Sequence, residues 1–283
     1  MRLAHLILAH NNPFQLELLV KRLSTNRADV YIHLDKKSSL SEFKHLSLLP
    51  NVFFINNRTD IGWGNYSMVD GTLKSFTEIL QSNIEYSHIN LLSGHDYLLK
   101  PAAELEDFLF TNKEHSFLEY LSINNEWQES KERITKYSLG DLKIPFKFPI
   151  QYWVNKFLPD RKIPNNLEPY GRSQWMTLTP KAIVYVIDYL KNNPKALRFF
   201  KRTWAVDEVV FQTILVNSPL KSSIINNNLR FIEFALNSLN PRILTMDDAK
   251  VLLDSGKFMA RKFSLTQSPE VLTFLDNSIE DNS

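Results

Sequence analysis

The chain has 283 residues, of which 43% are apolar and 23% are charged, and its formal net charge is +2. That balance excludes a protein that holds nucleic acid mainly through the phosphates. No apolar run reaches the roughly 20 residues of a membrane span. Cysteine is absent, which excludes disulfides, zinc–thiolate sites, iron–sulfur clusters and thiol nucleophiles. We expect a cytoplasmic enzyme, because the apolar start of the chain is too short for a signal peptide.

The first 120 residues alternate strand and helix patterns, which predicts right-handed βαβ units and a mostly parallel sheet. Continuous apolar runs, typical of strands buried on both faces, predict strands. These strands span 3–9, 30–34, 52–55 and 88–92. Helical spacing predicts helices over 13–23, 67–81 and 102–110. The expected fold class is therefore α/β.

The pattern is weaker from about 121 to 170, where five prolines and many charges predict irregular structure. Regular patterns then return, with strands or extended segments at 174–178, 230–234 and 258–263 and helices at 180–190, from Asp207 and at 246–254. With no repeat and no clear linker, we expect one domain over 1–283. Its two halves are expected over about 1–120 and 121–265, with a frayed polar tail over 277–283.

Polar residues follow three of the predicted strands directly: His10, Asp35 and the segment Ser93 to Asp96. Ligands of open parallel sheets bind beyond the carboxyl ends of the strands. The sequence therefore predicts a binding site at this edge of the sheet.

Several common signatures are missing. The chain has no glycine-rich dinucleotide fingerprint, no P-loop and no nucleophile elbow. It also lacks an Asp-x-Asp pair, through which many sugar transferases hold a metal and a diphosphate. A nucleotide-sugar enzyme with this sequence would need fixed cations to neutralise the leaving group.

Glu208 is the candidate general base. Asp207 is a natural N-cap, which would place Glu208 in the first turn of a helix, where the helix dipole favours an ionised carboxylate. Ionised carboxylates on rigid elements suit proton abstraction. The alternative is an acidic residue that serves only the helix start.

Arg261 and Lys262 are adjacent cations between aromatic residues. Together they could clamp a diphosphate, with a guanidinium fork and an ammonium point charge. A solvated pair at a strand edge is the alternative. Arg242, after Pro241, is a weaker candidate for the same role.

Other candidates carry polar or aromatic groups of the kind that bind sugars and bases. His95 and Asp96 follow Gly94 at a strand end, where a plain turn is the alternative. Trp63 could stack on a base or sugar, or belong to the core. Glu119, which ends the predicted strand 117–120, and Trp175 could bind carbohydrate.

Seven segments, taken in order, resemble the core-2/I-branching β-1,6-N-acetylglucosaminyltransferase and peptide-O-xylosyltransferase family, which is family 14 of the glycosyltransferases. The segments are 30–38 (VYIHLDKKS), 61–67 (IGWGNYS), 89–100 (INLLSGHDYLLK), 117–120 (FLEY), 171–179 (GRSQWMTLT), 205–215 (AVDEVVFQTIL) and 240–263, ending in MARKF. The resemblance implies a GT-A-type fold with a Rossmann-like, mostly parallel sheet flanked by helices. It also implies an inverting transferase that needs no metal and no cofactor, which accounts for the missing Asp-x-Asp.

The resemblance assigns roles residue by residue. Glu208 is the catalytic base. Arg261 and Lys262, with Arg242, hold the donor diphosphate, and Asp35, Trp63 and His10 lie around the uridine. Glu119 and Trp175 bind the acceptor, and His95 and Asp96 line the cleft between donor and acceptor. Lys131 and Arg133 fall near basic acceptor contacts of the animal members, but the match in that stretch is loose and they are given no role.

The animal members of this family carry membrane anchors and disulfides, whereas this chain has no cysteine. The sequence therefore predicts a bacterial, cytoplasmic member that uses a UDP-sugar, with GlcNAc or xylose as the sugar. The predicted acceptor is an oligosaccharide or lipid-linked surface glycan. A lipid-linked acceptor would bring the protein to the inner face of the plasma membrane, although the sequence shows no clear amphipathic basic helix.

Two alternatives from other classes stay open. A glycosidase also uses two carboxylates, and Glu119 with Glu208 could form such a pair. A non-catalytic glycan-binding module could present Trp63 and Trp175. Neither alternative explains Arg261 and Lys262.

Overall fold

The computed structural model describes residues 1–235 and 240–280. The α-helices in these residues are α1 Pro13–Leu23, α2 Leu40–Phe43, α3 Tyr66–Leu80, α4 Ala102–Thr111, α5 Lys131–Thr135, α6 Lys147–Phe157, α7 Pro180–Asn192, α8 Pro194–Phe200, α9 Val210–Val216, α10 Ala249–Asp254 and α11 Pro269–Glu280. The strands are β1 Arg2–Ala9, β2 Ala28–Leu34, β3 Val52–Phe54, β4 Tyr86–Ser93, β5 Tyr97–Leu98, β6 Ser116–Leu118, β7 Tyr120–Ser122, β8 Tyr170–Arg172, β9 Thr177–Leu178, β10 Ile224–Asn226, β11 Arg230–Ile232 and β12 Met259–Arg261. No helix among these residues has the length and apolar character needed to cross a bilayer.

The chain folds into two compact units, each assembled from separate segments. The first unit comprises 1–56, 82–113 and 228–283, and the second comprises 57–81 and 114–227. Predicted halves that divide near residue 120 therefore differ from the units, because 57–81 groups with the second unit and 228–283 with the first. Whether the chain acts as one domain stays a prediction.

A parallel sheet in the order β4-β1-β2-β3 forms the centre of the first unit. β1, β2 and β4 are buried along almost their whole length, as expected for continuous apolar strands. Helices α1 and α4 contact this sheet, so the predicted α/β class with a parallel sheet and flanking helices is confirmed. The unit also holds a small sheet in the order β11-β12-β5.

The start of α1 follows directly from the sequence. Asn12 is the N-cap, its side chain accepts a hydrogen bond from the backbone N–H of Gln15, and Pro13 occupies the first turn, as helix starts prefer. At the other end of this unit, α11 continues to Glu280 and buries Ile279. The structure thus has 277–280 in a helix, the predicted fraying of the tail stays a prediction, and 281–283 lie outside the described residues.

The second unit has shorter strands, in the order β10-β6-β9 and in the antiparallel pair β7-β8. Helix α9 is buried along its whole length and contacts β8 and α7. The region 121–170, expected to be irregular, contains mostly short elements but also the complete helix α6. Its pattern did not predict a helix because α6 buries none of its residues, so it shows no apolar stripe directed at a core.

Candidate functional site

The first unit brings its candidate residues to one edge of the parallel sheet. Because β1, β2 and β4 run in the same direction, their carboxyl ends lie together. The backbone N–H of Asp35 donates to the Ala9 carbonyl at 2.8 Å, and that of Gly94 donates to the Leu8 carbonyl at 3.2 Å. The predicted grouping of His10, Asp35 and the Gly94 turn at this edge is confirmed, and their binding roles stay predictions.

His10, His95 and Lys262 form a cluster of cationic and titratable groups. The two imidazole centroids are 6.2 Å apart, and a His95 ring nitrogen lies 3.2 Å from the Phe263 carbonyl oxygen. Burial lowers the pKa of both histidines, and the Lys262 ammonium lowers the pKa of each further. The pKa of Lys262 is itself lowered by burial and by Arg261. A bound anion would relieve this crowding of positive charge.

Arg261 lies beside Lys262 and is almost buried. Its Nε lies 3.6 Å from Oδ1 of Asp96. Asp96 also accepts from the Ser93 hydroxyl at 2.7 Å and from the Ser93 backbone N–H at 3.1 Å. Asp96 is only 1% exposed, and its carboxylate holds the Ser93 turn and lies beside Arg261. Its predicted place in the cleft between donor and acceptor stays a prediction, as does that of His95.

Gln15 ties the segment after Arg261 and Lys262 to α1 and was not among the sequence candidates. Its side-chain amide donates to the Phe263 carbonyl at 3.1 Å, and its Oε1 accepts from the Leu265 backbone N–H at 2.9 Å. The sequence does carry a signal that could have found Gln15, because this residue shares the buried face of α1 with leucine and valine side chains. A glutamine on an apolar face needs buried partners.

Arg242 has a different environment from the one predicted. It donates to Glu233 at 2.7 Å and to both oxygens of Asp248, and these carboxylates raise the pKa of its guanidinium. Two carboxylates already compensate its charge, so the geometry gives Arg242 a structural contact. Its predicted diphosphate contact stays untested.

Asp35 closes the turn after β2. Its Oδ1 accepts from the Lys37 backbone N–H at 2.8 Å, and Oδ2 lies 3.3 Å from the Lys37 ammonium. The Ser38 hydroxyl donates to the His10 carbonyl at 2.6 Å. These contacts connect the polar residues after β1 and β2 into one rigid turn.

In the second unit, Glu208 ends a 3-10 turn over Val206–Glu208 that follows Ala205 in the left-handed region. The predicted N-cap role of Asp207 is wrong, since the turn contains Asp207 and α9 starts only at Val210. The Asp207 side chain is buried instead. Burial and the negative charge of Glu208 raise the pKa of the Asp207 carboxyl to about 7.

Arg133 orients the carboxylate of Glu208. Its guanidinium donates to Glu208 Oε2 and lies over the rings of Trp127 and Trp204, 4.6 Å and 5.3 Å from their centroids. The Glu208 side chain remains 30% exposed, so its carboxylate is accessible from solvent. The resemblance pointed to Arg133 only loosely and gave it no role, and its pairing with Glu208 had no local signal because 75 residues separate the two.

Gly171, in β8, allows the backbone at Glu208 to approach closely. A Cβ atom at this position would lie 2.7 Å from the Glu208 carbonyl oxygen and 3.0 Å from the Trp127 ring. Only glycine fits such an approach without a shift of its neighbours. The sequence therefore determines the position of Glu208 partly through a residue without a side chain.

Trp63 presents an aromatic surface and is 59% exposed. Its ring packs edge-on against Trp204 at a centroid distance of 5.9 Å. Gly64 follows with φ +68°, and its carbonyl accepts from the Ala205 backbone N–H at 2.7 Å. Trp63 is thus not a core residue, and its predicted contact with uridine is untested.

Glu119 lies between β6 and β7, so the predicted continuous strand over 117–120 is wrong. It lies 3.8 Å from Arg172, whose guanidinium stacks over Trp127 at 5.6 Å. Trp175 is half-buried and precedes β9 rather than lying within it. Its backbone N–H donates to the Ser173 hydroxyl at 3.3 Å. The acceptor roles of Glu119 and Trp175 remain predictions.

The first unit thus has cations at the carboxyl edge of its sheet, and the second has a carboxylate held by an arginine that lies over two tryptophans. The family model of the Core-2/I-Branching enzyme matches residues 3–249. The chain belongs to this family, which confirms the resemblance found in the sequence.

Curated relatives of the chain are named xylosyltransferases. Xylosyltransferase oxt of Drosophila melanogaster is 27% identical over 221 residues, which cover 76% of this chain and 24% of the relative. Xylosyltransferase 2 of Mus musculus is 26% identical over 299 residues, covering 97% of this chain and 33% of the relative. The chain thus spans about a quarter to a third of the length of these proteins.

Among solved structures, the apo form of mouse xyloside xylosyltransferase 1 matches with a TM-score of 0.40 and 12% identity, covering 91% of this chain and 97% of that one. The 4-diphosphocytidyl-2C-methyl-D-erythritol synthase from Anaerococcus prevotii matches with a TM-score of 0.34 and 10% identity, covering 71% of this chain and 83% of that one.

Proposed function

We propose that this chain is an inverting glycosyltransferase that moves a sugar from a UDP-sugar to a hydroxyl of a glycan without a metal ion. Family membership supports the transferase class, and the names of the relatives favour xylose over GlcNAc as the donor sugar. The observation that carries the UDP-sugar proposal is the cluster of Arg261, Lys262, His10 and His95 at the carboxyl edge of the sheet.

The diphosphate of UDP matches this cluster in charge. Lys262 and both histidines have lowered pKa values because they are buried beside positive charge. The negative charge of a diphosphate would offset that repulsion, and its oxygens could accept two parallel N–H hydrogen bonds from the guanidinium of Arg261. When the bond between the anomeric carbon and the diphosphate oxygen breaks, the electron pair stays on UDP. Arg261 and Lys262 then stabilise the added charge, as a metal does in other transferases.

Glu208 is the proposed general base. It takes the proton of the acceptor hydroxyl while the hydroxyl oxygen attacks the anomeric carbon from the face opposite UDP, which inverts the configuration from α to β. Arg133 holds the Glu208 carboxylate in one orientation. Trp127 and Trp204 pack against the Arg133 guanidinium and limit the movement of Arg133. Glu119 and Trp175 are the proposed acceptor contacts, and Asp35 and Trp63 the proposed nucleoside contacts.

The first experiment is calorimetric titration of the chain with UDP in excess EDTA. We expect micromolar binding that is lost in Arg261→Ala/Lys262→Ala. The matched control is Lys191→Ala/Lys195→Ala, which removes two exposed cations from the second unit. No UDP binding, with or without Mg²⁺ or Mn²⁺, would eliminate the nucleotide-sugar proposal. Binding only after a divalent ion is added would eliminate the metal-free clamp.

The second experiment screens UDP-xylose and UDP-GlcNAc for transfer to surface oligosaccharides and lipid-linked glycans of bacterial type, the acceptor class that the sequence predicts. Glu208→Gln should reduce turnover by about 10²–10⁴-fold, the usual contribution of general-base catalysis, while UDP affinity is unchanged. Near-normal turnover in this variant would remove Glu208 from the mechanism. Sugar release from a glycan in UDP-free buffer would favour the glycosidase alternative.

A further inference from the structure

Helix α6 is an exposed element of the second unit. None of its residues is buried, although six of its eleven residues are apolar or aromatic. Phe146, just before the helix, is 78% exposed, and Phe157 at its end is 74% exposed. Contiguous apolar surface of this kind marks an interaction site more often than an ordinary surface.

The polar side of α6 is the side attached to the rest of its unit. Gln151 Oε1 accepts from the Leu139 backbone N–H at 2.8 Å. Asn155 accepts from the Tyr137 backbone N–H at 2.7 Å and donates to the Tyr137 carbonyl at 2.9 Å. An amphipathic helix on the surface of a globular protein normally turns its apolar side toward the core and its polar side toward water, which is the reverse of α6. The inverted orientation of α6 therefore leaves its apolar side for an external partner.

The apolar side is a continuous stripe, defined here by Phe146, Ile150, Trp153 and Phe157. Their spacing of four, three and four residues puts them on one helix face, and all four are exposed. The rings of Trp153 and Phe157 stack at a centroid distance of 5.4 Å and an interplanar angle of 9°. This stacking leaves both rings exposed.

Positive charge accompanies the stripe. The helix contains Lys147 and Lys156 and no acidic residue, and the Lys156 ammonium lies 4.8 Å from the Trp153 ring centroid. The acidic residues that flank the helix have polar partners: Asp141 accepts from the Ser67 backbone and hydroxyl, and Asp160 accepts from an exposed lysine ammonium. The Lys147 ammonium donates to the Gly140 carbonyl at 2.8 Å, so the exposed face of α6 combines apolar side chains with the exposed ammonium of Lys156.

We propose that α6 is an interfacial helix that binds the surface of a lipid bilayer containing anionic lipids. Tryptophan, tyrosine and phenylalanine suit the boundary between headgroups and acyl chains, where an aromatic ring has one apolar and one wet environment. Lysines beside such rings match anionic headgroups in charge. A protein groove or a second copy of this chain would match the stripe alone, but neither requires the accompanying lysines.

Vesicle co-sedimentation of the full chain, without donor or acceptor, tests the proposal. We expect binding to vesicles of phosphatidylcholine with about 30% phosphatidylglycerol, and much weaker binding to phosphatidylcholine alone, since each lysine near an anionic surface contributes about five-fold. Trp153→Ser/Phe157→Ser should weaken binding by roughly 30-fold, because two partly exposed rings no longer enter the interface. Lys156→Gln should weaken it about five-fold on anionic vesicles.

The matched control is Leu48→Ser/Leu253→Ser, which removes two exposed apolar side chains from the first unit and should leave vesicle binding unchanged. Circular dichroism spectra and urea unfolding of each variant distinguish lost binding from lost folding. Equal binding of the wild type and the Trp153/Phe157 variant would overturn the proposal. The proposal would also be overturned if the wild type did not bind vesicles but sedimented as a dimer, and the Trp153/Phe157 variant sedimented as a monomer. No readout uses UDP, so failure here leaves the proposed function standing.

Discussion

Gly171→Ala tests whether the close approach behind Glu208 determines the geometry of the proposed base. The new methyl group would lie 2.7 Å from the Glu208 carbonyl oxygen, 3.0 Å from the Trp127 ring and 3.2 Å from the Val209 side chain. Ordinary contacts begin near 3.4 Å, so the Glu208 carbonyl oxygen would be about 0.7 Å too close, and the Glu208 turn or β8 must move by a comparable distance. Overpacking of this kind costs about 1–3 kcal/mol.

The expected result is a loss of about 1–3 kcal/mol in the free energy of unfolding, measured by urea titration. Turnover should fall by about ten-fold or more, since displacements near 1 Å in an active site cost about 10²-fold. Any loss of UDP affinity should be smaller than the loss of turnover, because the proposed diphosphate contacts belong to the first unit and only Trp63 of the proposed nucleoside contacts belongs to the second.

Gly94→Ala is the control, since its added Cβ would meet only ordinary contacts, at 3.7 Å from Ala9 and 3.8 Å from Leu16. That variant should be as stable as the wild type or slightly more stable, because alanine restricts the unfolded chain. The reasoning is refuted if Gly171→Ala proves as stable as Gly94→Ala and also keeps its turnover.

Three more variants address single residues of the two units. Burial raises the pKa of the Asp207 carboxyl from 3.8 to about 7. Between these two pH values the folded chain keeps a proton that the unfolded chain releases. The free energy of unfolding should therefore fall as the pH rises from about 4 to 7, by roughly 4 kcal/mol at most. Urea unfolding from pH 5 to 8 should show Asp207→Asn gaining stability relative to the wild type with rising pH, and a constant difference would contradict the assignment. Gln15→Leu leaves the Phe263 carbonyl and the Leu265 N–H without this partner. The variant should lose about 1–3 kcal/mol in the free energy of unfolding and should bind UDP more weakly. An unchanged affinity for UDP would show that α1 does not position Arg261 and Lys262. In the calorimetric UDP titration, Arg242→Ala should change the affinity less than about three-fold, because two carboxylates already compensate the charge of Arg242. A loss of affinity as large as that of the Arg261/Lys262 variant would restore the predicted diphosphate contact of Arg242.

The sheet of the first unit was predictable because its strands are buried on both faces. A strand in that position is a continuous apolar run, so the predicted bounds of β1, β2 and β4 differ from the observed ones by at most two residues. The same logic located His10 and Asp35, since a parallel strand of known direction fixes the residue that follows it. Local pattern and tertiary position agree in these elements.

Elements whose position depends on distant partners were not predictable. Arg133 and Gln15 act through residues far away in the chain, and one sequence carries no record of such contacts. Asp207 has the composition of an N-cap, but burial of its side chain places it inside a 3-10 turn. Helix α6 was missed because its apolar side lies away from its unit, so its pattern does not match that of a core helix.

The segmented first unit also has a consequence for the order in which the chain can fold during synthesis. Strand β12 pairs with β5 and β11 and supplies Arg261, and Gln15 holds the residues just after it. The ribosome finishes every residue of the second unit before it reaches this strand. Nascent chains generally fold from the N-terminus as synthesis proceeds, and β1 to β4 can pair with one another first, but Arg261 joins them only after β12 has been made. A transcript truncated before residue 259 would therefore yield a chain whose N-terminal sheet lacks its cationic edge.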